Sequence, residues 1–130
     1  MNDRYLYRAK RTDNGEWVQG YYANCLFPSS DVRTGHFIIE YPGEYHEIFT
    51  STICQCTGLK DKNGKLIYEN DIVWDSEERK FYKIIFCQED MCYYAQDADG
   101  YKHTFESCYG SSIDVESNIF DNPELLEVGE

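Results

Sequence analysis

The segment Thr57-Gly58-Leu59-Lys60-Asp61-Lys62-Asn63-Gly64-Lys65-Leu66-Ile67-Tyr68 reads as a β-hairpin, and that reading sets the fold class. Asn63-Gly64 is a dipeptide that tolerates positive φ in a tight turn, so the chain is expected to reverse there. Lys60 and Asp61 lead into the reversal and Lys65-Leu66-Ile67-Tyr68 leads out of it. Gly58 and Gly64 relieve backbone strain, and Asn63 shapes the turn. Just downstream, Asp71 after Asn70 is expected to stabilise a bend that feeds Ile72-Val73 into a new strand.

Two more dipeptides carry the same signal. Asn14-Gly15 would join a strand ending near Arg11 to one through Trp17, Val18, Tyr21 and Tyr22. Asp99-Gly100 would fold Met91-Cys92-Tyr93-Tyr94-Ala95 back on Tyr101-Lys102-His103-Thr104-Phe105. Ile72-Val73-Trp74 and Phe81-Tyr82-Lys83-Ile84-Ile85-Phe86 are rich in β formers and too short and aperiodic for helices. His36 to Tyr41 reads as a strand stopped by Pro42-Gly43, and Phe27-Pro28-Ser29-Ser30-Asp31 as a loop. Helix is expected mainly at the end, where Asn122 can cap, Pro123 suits the first helical position and Glu124 complements the dipole. The fold class is therefore mainly β, built from hairpins, with a short C-terminal helical turn; Trp17, Tyr21 and Leu59 are expected in its core.

A chain of 130 residues fits one domain, taken here as 1–130, with a core that needs no disulfide or metal. The 24 acidic against 12 basic residues give a formal net charge of -12, which repels phosphate backbones and anionic membranes and attracts basic protein surfaces. Direct nucleic-acid binding is disfavoured, although Arg4, Arg8, Lys10 and Arg11 crowd the amino end. The carboxyl-terminal third is the acidic part. No run approaches the roughly 20 apolar residues that span a bilayer, and no apolar segment follows the amino-terminal charges, so a cytoplasmic protein is expected. Its six cysteines are then expected as thiols.

Cys54-Gln55-Cys56 puts both thiols on one strand face, a spacing unlike that of zinc knuckles. Lining a core is the expected role, and a metal site completed by His46 is the sharper alternative. Cys87 and Cys92 flank Gln88-Glu89-Asp90-Met91, which would set them across a hairpin as a free thiol pair; Cys25 and Cys108 have no nearby partner in sequence. His36, His46 and His103 could each serve a cysteine nucleophile as base, but none sits in a recognisable signature. No glycine cluster cradles phosphate, and no catalytic residue or cofactor is assigned. Tyr5, Tyr7, Tyr21, Tyr22, Tyr41, Tyr45, Tyr93, Tyr94, Tyr101 and Tyr109 are too many for every hydroxyl to be buried and satisfied, so some are expected at an interface. The interface candidates are Tyr93, Tyr94, Tyr101, Asp97, Asp99 and Glu106.

Three segments together resemble the YopX family of small phage and prophage proteins: Tyr7-Arg8-Ala9-Lys10-Arg11 with Asn14-Gly15-Glu16-Trp17-Val18 and Gly20-Tyr21; Thr57 to Lys65, continuing through Ile67-Tyr68-Glu69 to Asp71-Ile72-Val73; and Asn118-Ile119 with Asn122-Pro123-Glu124-Leu125-Leu126. The chain departs from the family pattern at Cys56, where Tyr is usual, and at Asn70 and Ser117, where Gly is usual. The resemblance implies an SH3-like barrel or roll, self-association into a higher oligomer, a bacterial host cell and no established reaction. Function is then expected to be noncatalytic binding of a host or phage protein through an acidic, tyrosine-rich surface. The alternatives are an acidic inhibitor that imitates nucleic acid to block a host defence or replication enzyme, and a small thiol- or metal-dependent enzyme.

Overall fold

Asn14-Gly15, Asn63-Gly64 and Asp99-Gly100 all lie at chain reversals, and the glycine of each pair takes the left-handed conformation, with φ of 72°, 83° and 94°. The computed structural model describes residues 5–25, 35–40, 42–104 and 112–127. Phe27 to Asp31, Tyr41, Phe105 and Arg4 from the sequence reading lie outside them. By its contacts the chain divides into two compact units, residues 1–56 and 57–130, each described by itself.

In the first unit β1 (Tyr7–Lys10), β2 (Trp17–Cys25), β3 (Gly35–Glu40), β4 (Glu44–Glu47) and the start of β5 (Cys54–Lys60) form an antiparallel sheet in the order β4-β3-β2-β1-β5. Alternation places Ala9 opposite Val18, and these two pack with Ile38 and Ile48 as the core, backed by Tyr7, Tyr22 and Ile53. Gly20 is required by proximity, because a Cβ there would lie 2.2 Å from the carbonyl oxygen of Ile39. The strand before Pro42-Gly43 stops there as expected, while the return strand β4 and the short 3-10 turn Thr50–Thr52 have no counterpart in the sequence reading.

In the second unit β5 continues and is hydrogen-bonded to β6 (Leu66–Tyr68). A five-stranded antiparallel sheet follows, built from β7 (Asp71–Asp75), β8 (Lys80–Cys87), β9 (Cys92–Gln96), β10 (Lys102–Thr104) and β11 (Ile113–Asn118) in the order β10-β9-β8-β7-β11. Val73 pairs with Tyr82 and Ile84 with Ala95, so a continuous apolar face forms from Val73, Tyr82, Ile84, Ala95 and Ile113, and Ile67 of β6 packs on it. The strand β11 was not read from the sequence, because its Ile-Asp-Val-Glu-Ser-Asn alternation is short and is broken by a bulge between Val115 and Ser117. The last described element is the short helix α1 (Glu124–Glu127). Asn122 serves it differently from a simple N-cap: its Oδ1 accepts from Ser117 Oγ and its Nδ2 donates to the Glu124 carboxylate at 2.8 Å.

The mainly β architecture with a terminal helical turn is as the sequence predicted, but the sheets are open and do not close into a barrel. Among the described residues no helix is long and apolar enough to cross a membrane. Three sequence departures now have physical content. Asn70 holds φ of 72°, the left-handed region that glycine enters freely and asparagine tolerates best among the rest. Ser117 sits at the β11 bulge, and Cys56 is fully buried. All three core expectations shift: Tyr21 is exposed, and Trp17 is half-buried as a platform for the Arg8 guanidinium (4.8 Å from the ring centroid) and Lys10 Nζ (5.4 Å). Leu59 is also only half-buried.

The turn at Asn63-Gly64 is organised by Asp61. Its Oδ1 accepts the backbone N–H groups of Asn63 and Lys65, and its Oδ2 accepts that of Val115 in β11, all at 2.9 Å. Burial works to raise this carboxyl's pKa, but the donors from Val115, Lys65 and Asn63 outweigh it and hold the value below the ordinary carboxylate range. The stabilisation is then fully present above the ordinary value and is lost as pH falls through the depressed one. Asp61→Ala leaves three backbone donors without their acceptor and is expected to cost about 2–3 kcal/mol in urea unfolding at pH 7. At a pH below the folded-state pKa the difference from wild type should shrink.

Candidate functional site

The pentapeptide Asp97-Ala98-Asp99-Gly100-Tyr101 repeats the pattern of Asp61-Lys62-Asn63-Gly64-Lys65, and the two turns have the same wiring. Asp97 Oδ1 accepts the N–H groups of Asp99 and Tyr101, each at 3.0 Å, just as Asp61 Oδ1 accepts those of Asn63 and Lys65. The second oxygen differs. Asp61 Oδ2 is taken by a neighbouring strand's backbone, whereas Asp97 Oδ2 faces His103 Nε2 at 3.4 Å and Lys80 Nζ at 3.7 Å. Burial pushes the Asp97 pKa up, and the Tyr101 N–H, His103, the Asp99 N–H and Lys80 together bring it below the usual carboxylate range.

This turn borders a cleft of about 270 Å³ within the second unit. Its walls are the β7–β8 turn at Glu78 and Arg79, then Lys80 and Phe81 of β8, the Asp97–Asp99 segment, and Leu125 and Leu126 of α1. The β7–β8 turn is shaped by Asp75 Oδ1, which accepts the N–H groups of Glu77 and Glu78, and by Arg79 in the left-handed region at φ 58°. Phe81 and the two leucines supply an apolar lining, and charges of both signs ring it. Such a cleft suits an aliphatic or aromatic side chain that carries a polar head.

The sequence-predicted interface residues separate on this framework. Asp99 is exposed and lines the cleft, and Tyr101, 71% exposed, follows it in the turn that Asp97 organises. Asp97 is only 8% exposed and organises the turn from within. Tyr93 packs against the core and meets the Phe86 ring edge-on. Tyr94 donates its hydroxyl to Asp90 Oδ2 at 2.6 Å, and that bond, with a further one to Cys92, raises its pKa strongly. Glu106 lies outside the described residues, as do Cys108 and Tyr109. Lys80, Phe81, Leu125 and Leu126 were not singled out beforehand, since only the fold brings α1 beside β8.

The remaining candidates fall elsewhere. Cys54 and Cys56 are both fully buried on one strand face, and Cys54 Sγ donates to the Thr52 carbonyl at 3.3 Å. His46, the third member of the alternative cysteine metal site, instead meets Glu40, with Nε2 3.0 Å from Oε1. Glu40 and Glu44 are direct partners across β3 and β4, and their ligand atoms and that of His46 lie within 4.8 Å of one another. These three could hold a divalent cation such as zinc. Their placement within seven residues on both arms of the Pro42-Gly43 turn was the signal that could have found them. His36 meets the Tyr22 hydroxyl, so each histidine faces a phenol or carboxylate. Of the basic amino end, Arg8 and Lys10 flank Trp17 and Arg11 pairs with Asp13 at 2.7 Å, which breaks up the cluster read from sequence.

Comparison with known proteins places the chain beside a family and a solved structure. A family model described as YopX protein matches residues 6–127. The crystal structure of protein EF1440 from Enterococcus faecalis is similar over 92% of this chain and 96% of that one, with 28% identity and a TM-score of 0.58. No curated protein matches.

The Asp97 turn yields a direct test. Asp97→Ala removes the acceptor of two backbone amides, and hydrogen exchange at Asp99 and Tyr101 is expected to accelerate about tenfold or more. Asp97→Asn keeps an acceptor oxygen and should preserve most of the protection. In the wild type the same amides should hold their protection from pH 7 to pH 5 and lose it as pH falls through the depressed Asp97 value.

Proposed function

The chain belongs to the YopX protein family, and from that premise we propose that it is a noncatalytic accessory protein of a phage or prophage that binds a host or phage protein. The observation that carries this reading is a cleft lined by Phe81, Leu125 and Leu126, with Asp99 on its wall and the exposed Tyr101 in the same turn. A rigid aromatic next to an apolar depression is how binding surfaces concentrate affinity, and the net charge of -12 favours a basic partner.

The nucleic-acid-mimicking inhibitor gains less support. Asp61, Asp71, Asp75 and Asp97 are buried, and their oxygens accept backbone N–H groups at strand ends. Those carboxylates are therefore poorly placed to copy a row of phosphates. A thiol- or metal-dependent enzyme would need a nucleophile beside a base or an open metal position; Cys54 and Cys56 are fully buried, and the group that could hold a metal, Glu40, Glu44 and His46, includes no cysteine.

A tagged pull-down from host lysate after nuclease treatment is the test. Wild type should retain a basic protein, and the double substitution Tyr101→Ala with Asp99→Lys should lower its affinity by at least about tenfold, measured with the purified partner. Equal affinity for that variant would remove this turn from the interface. Self-association belongs to the same proposal: light scattering at micromolar concentration is expected to report an assembly larger than a dimer, and a monomeric mass would contradict it.

A further inference from the structure

The end of the β8–β9 hairpin carries two free thiols in direct register, Cys87 opposite Cys92. Directly opposed residues of antiparallel strands hold their α-carbons about 4.5 or 5.5 Å apart, according to the type of pair. Both separations lie within the roughly 4.4–6.8 Å that a disulfide spans, so the register meets the α-carbon requirement for a bond between them. Cys92 is exposed and Cys87 half-buried, and between them Met91 is 74% exposed with φ of 56°. The tip is thus open to a small reagent. Cys54 and Cys56 are fully buried, which keeps the same reagent away from them.

We infer that Cys87 and Cys92 form a thiol–disulfide exchange site whose reaction partner is a low-molecular-weight disulfide. The Cys92 thiolate attacks the small disulfide, making a mixed disulfide on Cys92 and releasing one small thiolate. The Cys87 thiolate then attacks the Cys92 sulfur, closes the protein disulfide and releases the second small thiolate. Two protein thiols give up two protons and two electrons; the small disulfide takes the electrons and leaves as two thiols. Asp90 stands at the reacting end, because its Oδ2 lies 3.7 Å from Cys87 Sγ while also accepting the Tyr94 hydroxyl. Closure removes the Cys87 donor from that carboxylate. An exposed bond of this kind is expected to be readily reversed by thiols.

The reduced protein, equilibrated in glutathione buffers from reducing to oxidising, would be quenched with iodoacetamide and digested with trypsin. Cleavage after Lys83 and Lys102 yields one peptide, 84–102, that holds Cys87 and Cys92 and no other cysteine. In oxidising buffer this peptide is expected to lose two hydrogens and carry no alkyl group, and to regain two alkyl groups after return to reducing buffer. Cys87→Ser should stop at a glutathione adduct on Cys92. A wild-type peptide that stays doubly alkylated, or that carries glutathione without internal closure, in the fully oxidising buffer would overturn the inference.

Discussion

The Asp61 carboxylate is the constraint on which the second unit depends. Two of its bonds fix the turn between β5 and β6, and the third ties that turn to Val115 of β11. Around it, Lys62 N–H donates to the Ile113 carbonyl and Lys62 Nζ pairs with Asp114 at 3.2 Å, while Asn63 Nδ2 donates to the same Asp114. The hairpin is therefore fastened along β11, and Ile67 is delivered to the apolar face of the five-stranded sheet. A burial of apolar side chains is nondirectional and would not by itself choose this register; the carboxylate does, because its acceptor directions are fixed.

The same device recurs at other strand ends. Asp71 Oδ2 accepts the Tyr68 N–H, Asp75 shapes the β7–β8 turn, and Asn118 Oδ1 accepts the N–H groups of Phe120 and Asp121. Part of the acidity of this chain is thus architectural. Buried aspartates that accept backbone donors are satisfied charges, and they contribute order at turns more than they contribute a negative face. Asp97 stands between these roles: one oxygen holds the turn, and the other faces the Lys80 and His103 side chains beside the cleft. An identical turn has been used once to weld strands and once to shape a surface.

In the first unit the cations rather than the anions are absorbed. Lys10 lies directly across from Trp17, and Arg8, two residues before it on the same strand face, also covers the indole. Arg11 projects from the other face to Asp13, which depresses the Asp13 pKa chiefly through their hydrogen bond. Strand alternation therefore splits a run of basic residues that looks continuous in the sequence. Among the described residues, Tyr45 and Glu44 on the edge strand β4 face outward.

The sequence by itself determined the local features: three reversals at Asn-Gly and Asp-Gly, strands where β-branched and aromatic residues cluster, the helical turn after Pro123, and the opposition of Cys87 to Cys92. Each depends on backbone torsion or on residues a few positions apart, which neighbouring side chains dictate. The family likeness was legible in the same way, through short motifs whose glycines and aspartates have fixed torsional duties. Only the tertiary structure decided which polar groups face inward. That Asp61 reaches Val115, that Asp97 is buried while Tyr101 is exposed, that His46 meets Glu40 rather than the buried cysteines, and that Leu125 comes to lie beside Phe81 all follow from long-range strand order. Such order is set by burial and hydrogen-bond satisfaction over the whole unit, so no window of sequence contains it.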